Sequence, residues 1–342
     1  MSAACRAGRV WAAGALLLSL LSCSRPLLEG ARLEQLADVA AQVDGDRLMR
    51  MVADVVDARR GDTVLGCSFI PESERPYYGQ EVCHLTRQKT AEYIQRRFEE
   101  LGLQVRRDES SAPPLSTSNL IVELPGISRP EEVVLVGAHY DAFYEGADDN
   151  GTGVAALLEI ARVLSGYRFD RTVRFVGFDL EEFGLIGSSR YIAEQKGSER
   201  IVASMIFDCI GYYDSRPGSQ GSLPGLPTPS AGDFIAVFGN DTSSRRVSEL
   251  FALNEALKLT KVVPIIAPGD GATPLTGNLM RSDHSPFWLT DREAVFLTDT
   301  ANFRNPHYHQ TSDTLDTLEP VAFRRTVQLS AATLAFWAGG PR

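Results

Sequence analysis

The sequence predicts an α/β fold: a single globular domain on a central mixed, largely parallel β-sheet with helices on both faces. Short apolar, β-branched runs recur between residues 119 and 297, helical periodicity separates most of them, and acidic residues and histidines sit where the runs end. Strands alternating with helices imply parallel pairing by crossovers, and a parallel sheet is covered on both faces. A hydrophobic share of 44% and a charged share of 23% over 342 residues are ordinary for a chain with a real core.

The elements follow in chain order. Arg6 and Arg9 precede an apolar run, residues 10–21, too short to span a bilayer and suited to the core of a signal peptide. The run closes in Leu20-Leu21-Ser22-Cys23, which resembles a bacterial lipobox. Residues 1–22 are then an export signal, and Cys23 becomes an acylated anchor to a membrane, each buried methylene adding about 0.8 kcal/mol. Ordinary cleavage with a free Cys23, giving a secreted or periplasmic protein, is the bland alternative. Residues 23–60 form an anchor and helical segment, with helical spacing from residue 28 and no motif. The main globular domain is assigned to residues 61–342. Within it, residues 86–101 predict an amphipathic helix stopped by Gly102. Strands are predicted at 119–124, 133–138, 172–179, 204–210, 234–238, 262–266 and 294–297, and helices at 152–165, 188–195, 243–257 and 321–337. Two Gly-, Ser- and Pro-rich loops, 214–233 and 268–277, are long enough to form functional rims.

Charge and cysteines narrow the class. With 34 basic and 44 acidic residues the net charge is −10, which argues against a nucleic-acid partner. Export leaves Cys67, Cys83 and Cys209 in an oxidising compartment. Cys67 and Cys83 are then expected to pair and close a loop. A metal site from these two and His84 is the alternative, though its spacing fits no zinc pattern. Cys209 lies in an apolar run and reads as a buried free thiol.

Ligands of doubly wound sheets bind at the carboxyl ends of strands. Read in order, those ends carry His139-Tyr140-Asp141, then the loop Gly146-Ala147-Asp148-Asp149-Asn150-Gly151-Thr152-Gly153, then Glu181-Glu182, Asp208, and Asn305-Pro306-His307-Tyr308-His309. Each alone has a bland reading as core histidine, surface charge or turn. Their convergence changes the balance, because several carboxylates at one place repel unless a cation neutralises them. Mixed imidazole and carboxylate donors suit zinc or another first-row divalent ion.

At this point the chain resembles the M28 zinc peptidases. The matching motifs are Gly137-Ala138-His139-Tyr140-Asp141, the 146–153 loop, Glu181-Glu182-Phe183-Gly184-Leu185, Ile186-Gly187-Ser188, Phe207-Asp208-Cys209-Ile210-Gly211, Ser282-Asp283-His284 and Tyr308-His309-Gln310-Thr311-Ser312-Asp313-Thr314. They run in the family's order over roughly residues 85 to 340. The resemblance implies a zinc-exopeptidase-like fold, two zinc ions and a peptide or protein substrate. It makes His139 and Asp208 ligands of one zinc, Glu182 and His309 ligands of the other, and Asp149 the bridge. It makes Glu181 the general base acting beside a hydroxide the metals share, and suggests a cis peptide at Asp149–Asn150. Asp141 is expected to orient the His139 ring and Asp283 to support the pocket; His284, His307 and His84 stay outside the ligand set.

Other classes fit less well. No Gly-x-Ser-x-Gly elbow follows a strand, and the acids of the 146–153 loop would repel phosphate. A single-zinc glutaminyl cyclase usually lacks the Asp-Asp-Asn-Gly-Thr-Gly turn and places Trp before its last histidine, where this chain has Tyr308. A catalytically inactive binding domain would have lost ligands, and none is missing here. The expected activity is release of N-terminal residues, with carboxypeptidase the nearest competitor.

Overall fold

The computed structural model describes residues 30–342 apart from 69, 71–78, 114, 196–198, 223–225, 227 and 274–275, so the predicted signal segment and Cys23 lie outside the described residues. Eight strands form the central sheet in the order β2-β3-β6-β4-β7-β10-β8-β9. These are β2 (Arg106–Ser110), β3 (Thr117–Leu124), β4 (Arg129–His139), β6 (Arg171–Phe178), β7 (Arg200–Phe207), β8 (Ile235–Asn240), β9 (Val262–Ala267) and β10 (Ala294–Thr298). A two-stranded ladder pairs β1 (Leu85–Thr86) with β5 (Ala142–Phe143). The centre, β6-β4-β7-β10, is parallel, whereas β2 and β3 run antiparallel and β8 pairs antiparallel with β10. The mixed, largely parallel sheet expected from the sequence is present.

Alternation along the central strands splits their side chains between two cores. Val134, Val136 and Ala138 of β4, Val173 and Phe175 of β6, and Met205 and Phe207 of β7 face one layer. Leu135, Val176, Phe178 and Ile206 face the other. The first layer holds α4 (Gly153–Leu164), α6 (Ser244–Leu257) and α8 (Pro320–Trp337); the second holds α5 (Ile186–Glu194) and the short α7 (Ser285–Trp288). Pro320 opens α8 where a missing N–H does no harm, and Glu319 accepts from Val321 and Ala322. Helices α1 (Ala31–Ala41) and α2 (Gly45–Arg60), which precede the boundary drawn at residue 60, bring Leu36, Val39, Leu48, Val52 and Val55 into the first core. Helix α3 (Gln88–Glu100) packs Ile94 and Phe98 there too.

Two local expectations are corrected. The strand expected over 204–210 ends at Phe207, because Cys209 takes a left-handed φ of 52° and turns the chain out of the sheet. Strand β2, with sequence Arg-Arg-Asp-Glu-Ser, was not predicted. It is an edge strand with no buried position, so it carries charge instead of an apolar period. No helix among the described residues is long and apolar enough to cross a membrane.

Candidate metal centre

The predicted residues meet at the carboxyl end of β4, β6 and β7. His139 is the last residue of β4. Its Nδ1 lies 3.1 Å from the Asp141 carbonyl, which turns Nε2 towards Asp149 Oδ1 and Asp208 Oδ1, each at 3.5 Å, and Glu181 Oε2 at 4.0 Å. His309 sits in a tight turn with φ 59°, its ring edge against Phe143, and its Nε2 is 3.0 Å from both Asp149 Oδ2 and Glu182 Oε2. Asp149 thus turns one oxygen to each histidine. The structure groups His139, Asp149 and Asp208 as one set of donors and Asp149, Glu182 and His309 as another, with ligand atoms in each set within 4.8 Å of one another. A third grouping, His139, Glu181 and Glu182, overlaps both.

Adjacent glutamates on a regular strand would point to opposite faces. Here β6 ends at Phe178 and Leu180 takes a left-handed φ of 55°, so both Glu181 and Glu182 turn inward. Asp141 holds them there, accepting from the Glu181 N–H at 3.1 Å and the Glu182 N–H at 3.2 Å. The His139 ring is met mainly by the Asp141 carbonyl; the carboxylate stands further away, at 3.6 Å. The contact that orients the ring is therefore made by the Asp141 backbone carbonyl.

The turn bearing Asp149 is also pinned from several directions. The Asp149–Asn150 peptide is cis. Asn150 donates to the Phe207 carbonyl at 2.8 Å and accepts from Gly153 at the start of α4. Asp313 accepts from the Asp148 and Asp149 N–H groups at 2.9 and 3.0 Å. Asp148 faces away from the cluster and accepts from Gly211 and Asn305.

The electrostatics call for a cation. Among the described residues no Lys or Arg pairs with Asp149, Glu181, Glu182 or Asp208; their ionic partners are His139 and His309 alone. Burial pushes Glu181 well above the usual carboxylate range, with the Asp208, Glu182 and Asp283 charges adding to it. Burial and Asp149 raise Glu182 to about 7. Burial alone would discharge His309, but Glu182 and Asp149 hold it at about 11. His139 is likewise held up against burial by Glu181, Asp141 and Asp208. The imidazoles thus take up protons because acids surround them, the place a divalent cation would take. His139 Nε2, Asp149 Oδ2, Glu182 Oε1 and His309 Nε2 are buried without a directed hydrogen bond. Unsatisfied nitrogen and carboxylate donors that converge in this way fit a first-row divalent ion.

The remaining predicted residues fall as follows. Asp283 is fully buried with neither oxygen hydrogen-bonded, and is raised to about 7 by burial. His284 donates its Nε2–H to the Leu279 carbonyl, stacks on Phe296, and takes no part in the donor sets. His307 meets Ser312, and His84 stacks on Tyr144. Cys67 and Cys83 are joined as a disulfide with Cα atoms 4.7 Å apart, which removes the thiolate alternative. Val82 and Leu85 beside the disulfide pack on Phe143 and Leu180, the walls of the centre. Cys209 is a buried free thiol. Sequence reasoning missed Arg59 of α2, whose guanidinium bonds the loop between His139 and Asp149. Nothing local distinguishes it from the basic last turn of any helix.

A mixed sheet with two carboxylate–imidazole donor sets at its carboxyl end has the donors of a metal-dependent enzyme. The sequence profile of peptidase family M28 matches residues 119–334. The uncharacterized protein YfbL of Escherichia coli is 31% identical over 266 residues, which cover 73% of this chain and 80% of YfbL. The LapA aminopeptidase of Legionella pneumophila shares the fold at 18% identity, with a TM-score of 0.64 over 97% of this chain and 81% of LapA. BSAP, a zinc aminopeptidase from Bacillus subtilis, is 25% identical with a TM-score of 0.52, over 66% of this chain and 52% of BSAP. The chain belongs to peptidase family M28 and is a metallopeptidase.

Proposed function

We propose that the protein is an aminopeptidase that works with two zinc ions, removing residues from the N-terminus of peptides. The observation that carries this reading is Asp149, which offers one oxygen to each of two donor sets. His139 and Asp208 would hold one zinc, Glu182 and His309 the other, and Asp149 both. Zinc supplies Lewis acidity when bound, lowering the pKa of water and polarising a carbonyl. Glu181 lies 4.0 Å from the His139 ring and belongs to neither Asp149-centred set, so its carboxylate is free to take a proton from the attacking water and return it to the leaving amine. Burial raises its proton affinity, which suits both halves of that task. Asp141 keeps Glu181 and Glu182 in one orientation through their N–H groups. Asp283 is buried close enough to His139 for the two to feel each other's charge. Zinc and aminopeptidase action in BSAP support the same assignment here. The lipobox-like run to Cys23 and the Cys67–Cys83 disulfide favour an extracytoplasmic, membrane-anchored enzyme.

The test is a panel of peptides with free and N-acetylated termini, assayed alongside bound metal per chain. Two zincs and selective cleavage of free termini are expected. Equal cleavage of blocked peptides would overturn the aminopeptidase assignment, and one zinc with pyroglutamate formation would favour a cyclase.

A further inference from the structure

We infer that Arg59, on helix α2 and outside the region matched by the family, is a positioning residue of the metal centre. It holds the loop between His139 and Asp149 in the shape that lets both reach one site. The inference rests on the proposed ligand roles of those two residues.

Arg59 is 2% exposed. Its Nη1 donates to the carbonyls of Glu145 at 3.0 Å and Gly146 at 2.5 Å, and its Nη2 to the Tyr140 carbonyl at 3.1 Å. Tyr140 directly follows His139, and Glu145 and Gly146 come just before the turn that carries Asp149. One guanidinium therefore ties together the two ends of the loop that spaces the ligands. The fit is close. Gly146 has φ 52°, and a Cβ there would collide with the Asp149 carbonyl and come within 2.8 Å of Arg59 Nη1. The Gly146 carbonyl also receives the Gly151 N–H at 3.0 Å, so the contact reaches the far side of the turn.

Arg59 has no carboxylate within ion-pair distance among the described residues. Burial draws its pKa down to about 10, against the opposing fields of Asp149, Asp313, Asp141 and Glu182. A charge buried in this way without an ionic partner needs another reason to be there, and the three carbonyls supply one. The planar fork of Arg reaches several acceptors at once, which a lysine ammonium on a flexible stem does not. The neighbouring Arg60 holds the same loop through Glu145 at 2.8 Å, but that pair is partly exposed and weak.

A merely structural arginine would affect stability alone; a positioning one affects the metal. Arg59→Met, Arg59→Lys and, as a control on the same buried face of α2, Val55→Ala would be compared in the full chain. The readouts are thermal stability, zinc affinity by chelator competition and the visible spectrum of the cobalt-substituted protein. Val55→Ala is expected to lower stability and leave metal affinity and spectrum unchanged. Arg59→Met is expected to weaken zinc binding roughly 10- to 100-fold and shift the cobalt bands, as loss of a group supporting metal ligands does. Arg59→Lys should recover little, because charge without the fork does not rebuild the three contacts. If Arg59→Met does not fold, Arg59→Lys decides on the same readouts. Zinc affinity within twofold of the unmodified chain in either variant overturns the inference. An unmodified chain that binds no zinc, or one whose binding survives Asp149→Ala intact, overturns the ligand reading itself and the inference with it.

Discussion

The two ends of the central sheet gather ionisable side chains in similar numbers and to opposite effect. At the amino end of the parallel strands, Arg171, Arg200, Arg245, Arg246, Glu132 and Glu293 line a cavity of about 610 Å³. Acids and bases alternate there: Glu132 meets both Arg171 and Arg200, and Glu293 meets Arg246. At the carboxyl end Asp149, Glu181 and Glu182 are buried or nearly so, no Lys or Arg among the described residues pairs with them, and two histidines stand between them. A large cavity and many charges do not mark a site. Burial of like charges without partners does, because such an arrangement is tolerable only when a cation completes it. Between two histidines the same contrast holds. Acids hold His309 at about 11, whereas burial against Phe296 and Trp288 lowers His284 to about 4 in spite of its bond to the Leu279 carbonyl, which favours the proton.

Three experiments would break or sharpen this comparison. The largest effect is expected from Glu181→Gln, which should retain two zincs while kcat falls by about 10²–10⁴-fold, the range for losing a general base. Near-normal turnover with zinc bound would remove Glu181 from the base role. The second concerns His284. Its folded pKa lies below the ordinary value of 6.5, so between pH 6.5 and about 4 the unfolded chain binds the extra proton and stability falls as pH drops. The full loss is about 3 kcal/mol at 1.36 kcal/mol per pKa unit. Denaturant titrations of metal-free protein from pH 7 to 4 should show a shallower decline for His284→Gln than for the unmodified chain. Parallel declines would show that the ring does not carry the effect. The smallest change is expected at the other pole. The Arg200 side chain is 70% exposed, and Arg200→Ala should alter stability by no more than about 0.5 kcal/mol and leave kcat/KM unchanged. A marked loss of activity would show that the amino end takes part in function.

The predicted ligands and base, His139, Asp149, Glu181, Glu182, Asp208 and His309, converge in the structure. His139, Asp149, Glu181, Glu182 and Asp208 were legible because each follows an apolar run or occupies a glycine-rich turn, signals that extend over only a few residues, whereas His309 stood out only through the family-like run Tyr308-His309-Gln310. Strand β2 was illegible because an exposed edge has no apolar period to display. The motif-free helices before residue 60 gave no hint that one of their residues reaches the metal loop.

Taken alone, the sequence determined the alternation of strands and helices, the chemistry of the donors and their place at strand ends, since local periodicity and turn residues govern all three. Tertiary structure alone decided that Asp313 pins the turn bearing Asp149, that a left-handed Leu180 turns two neighbouring glutamates the same way, and that Arg59 closes the loop. The reason is separation along the chain. Asp313 reaches Asp148 across 165 positions and Arg59 reaches Gly146 across 87. Such contacts form only when packing brings distant segments together, and they leave no periodic trace in the residues between.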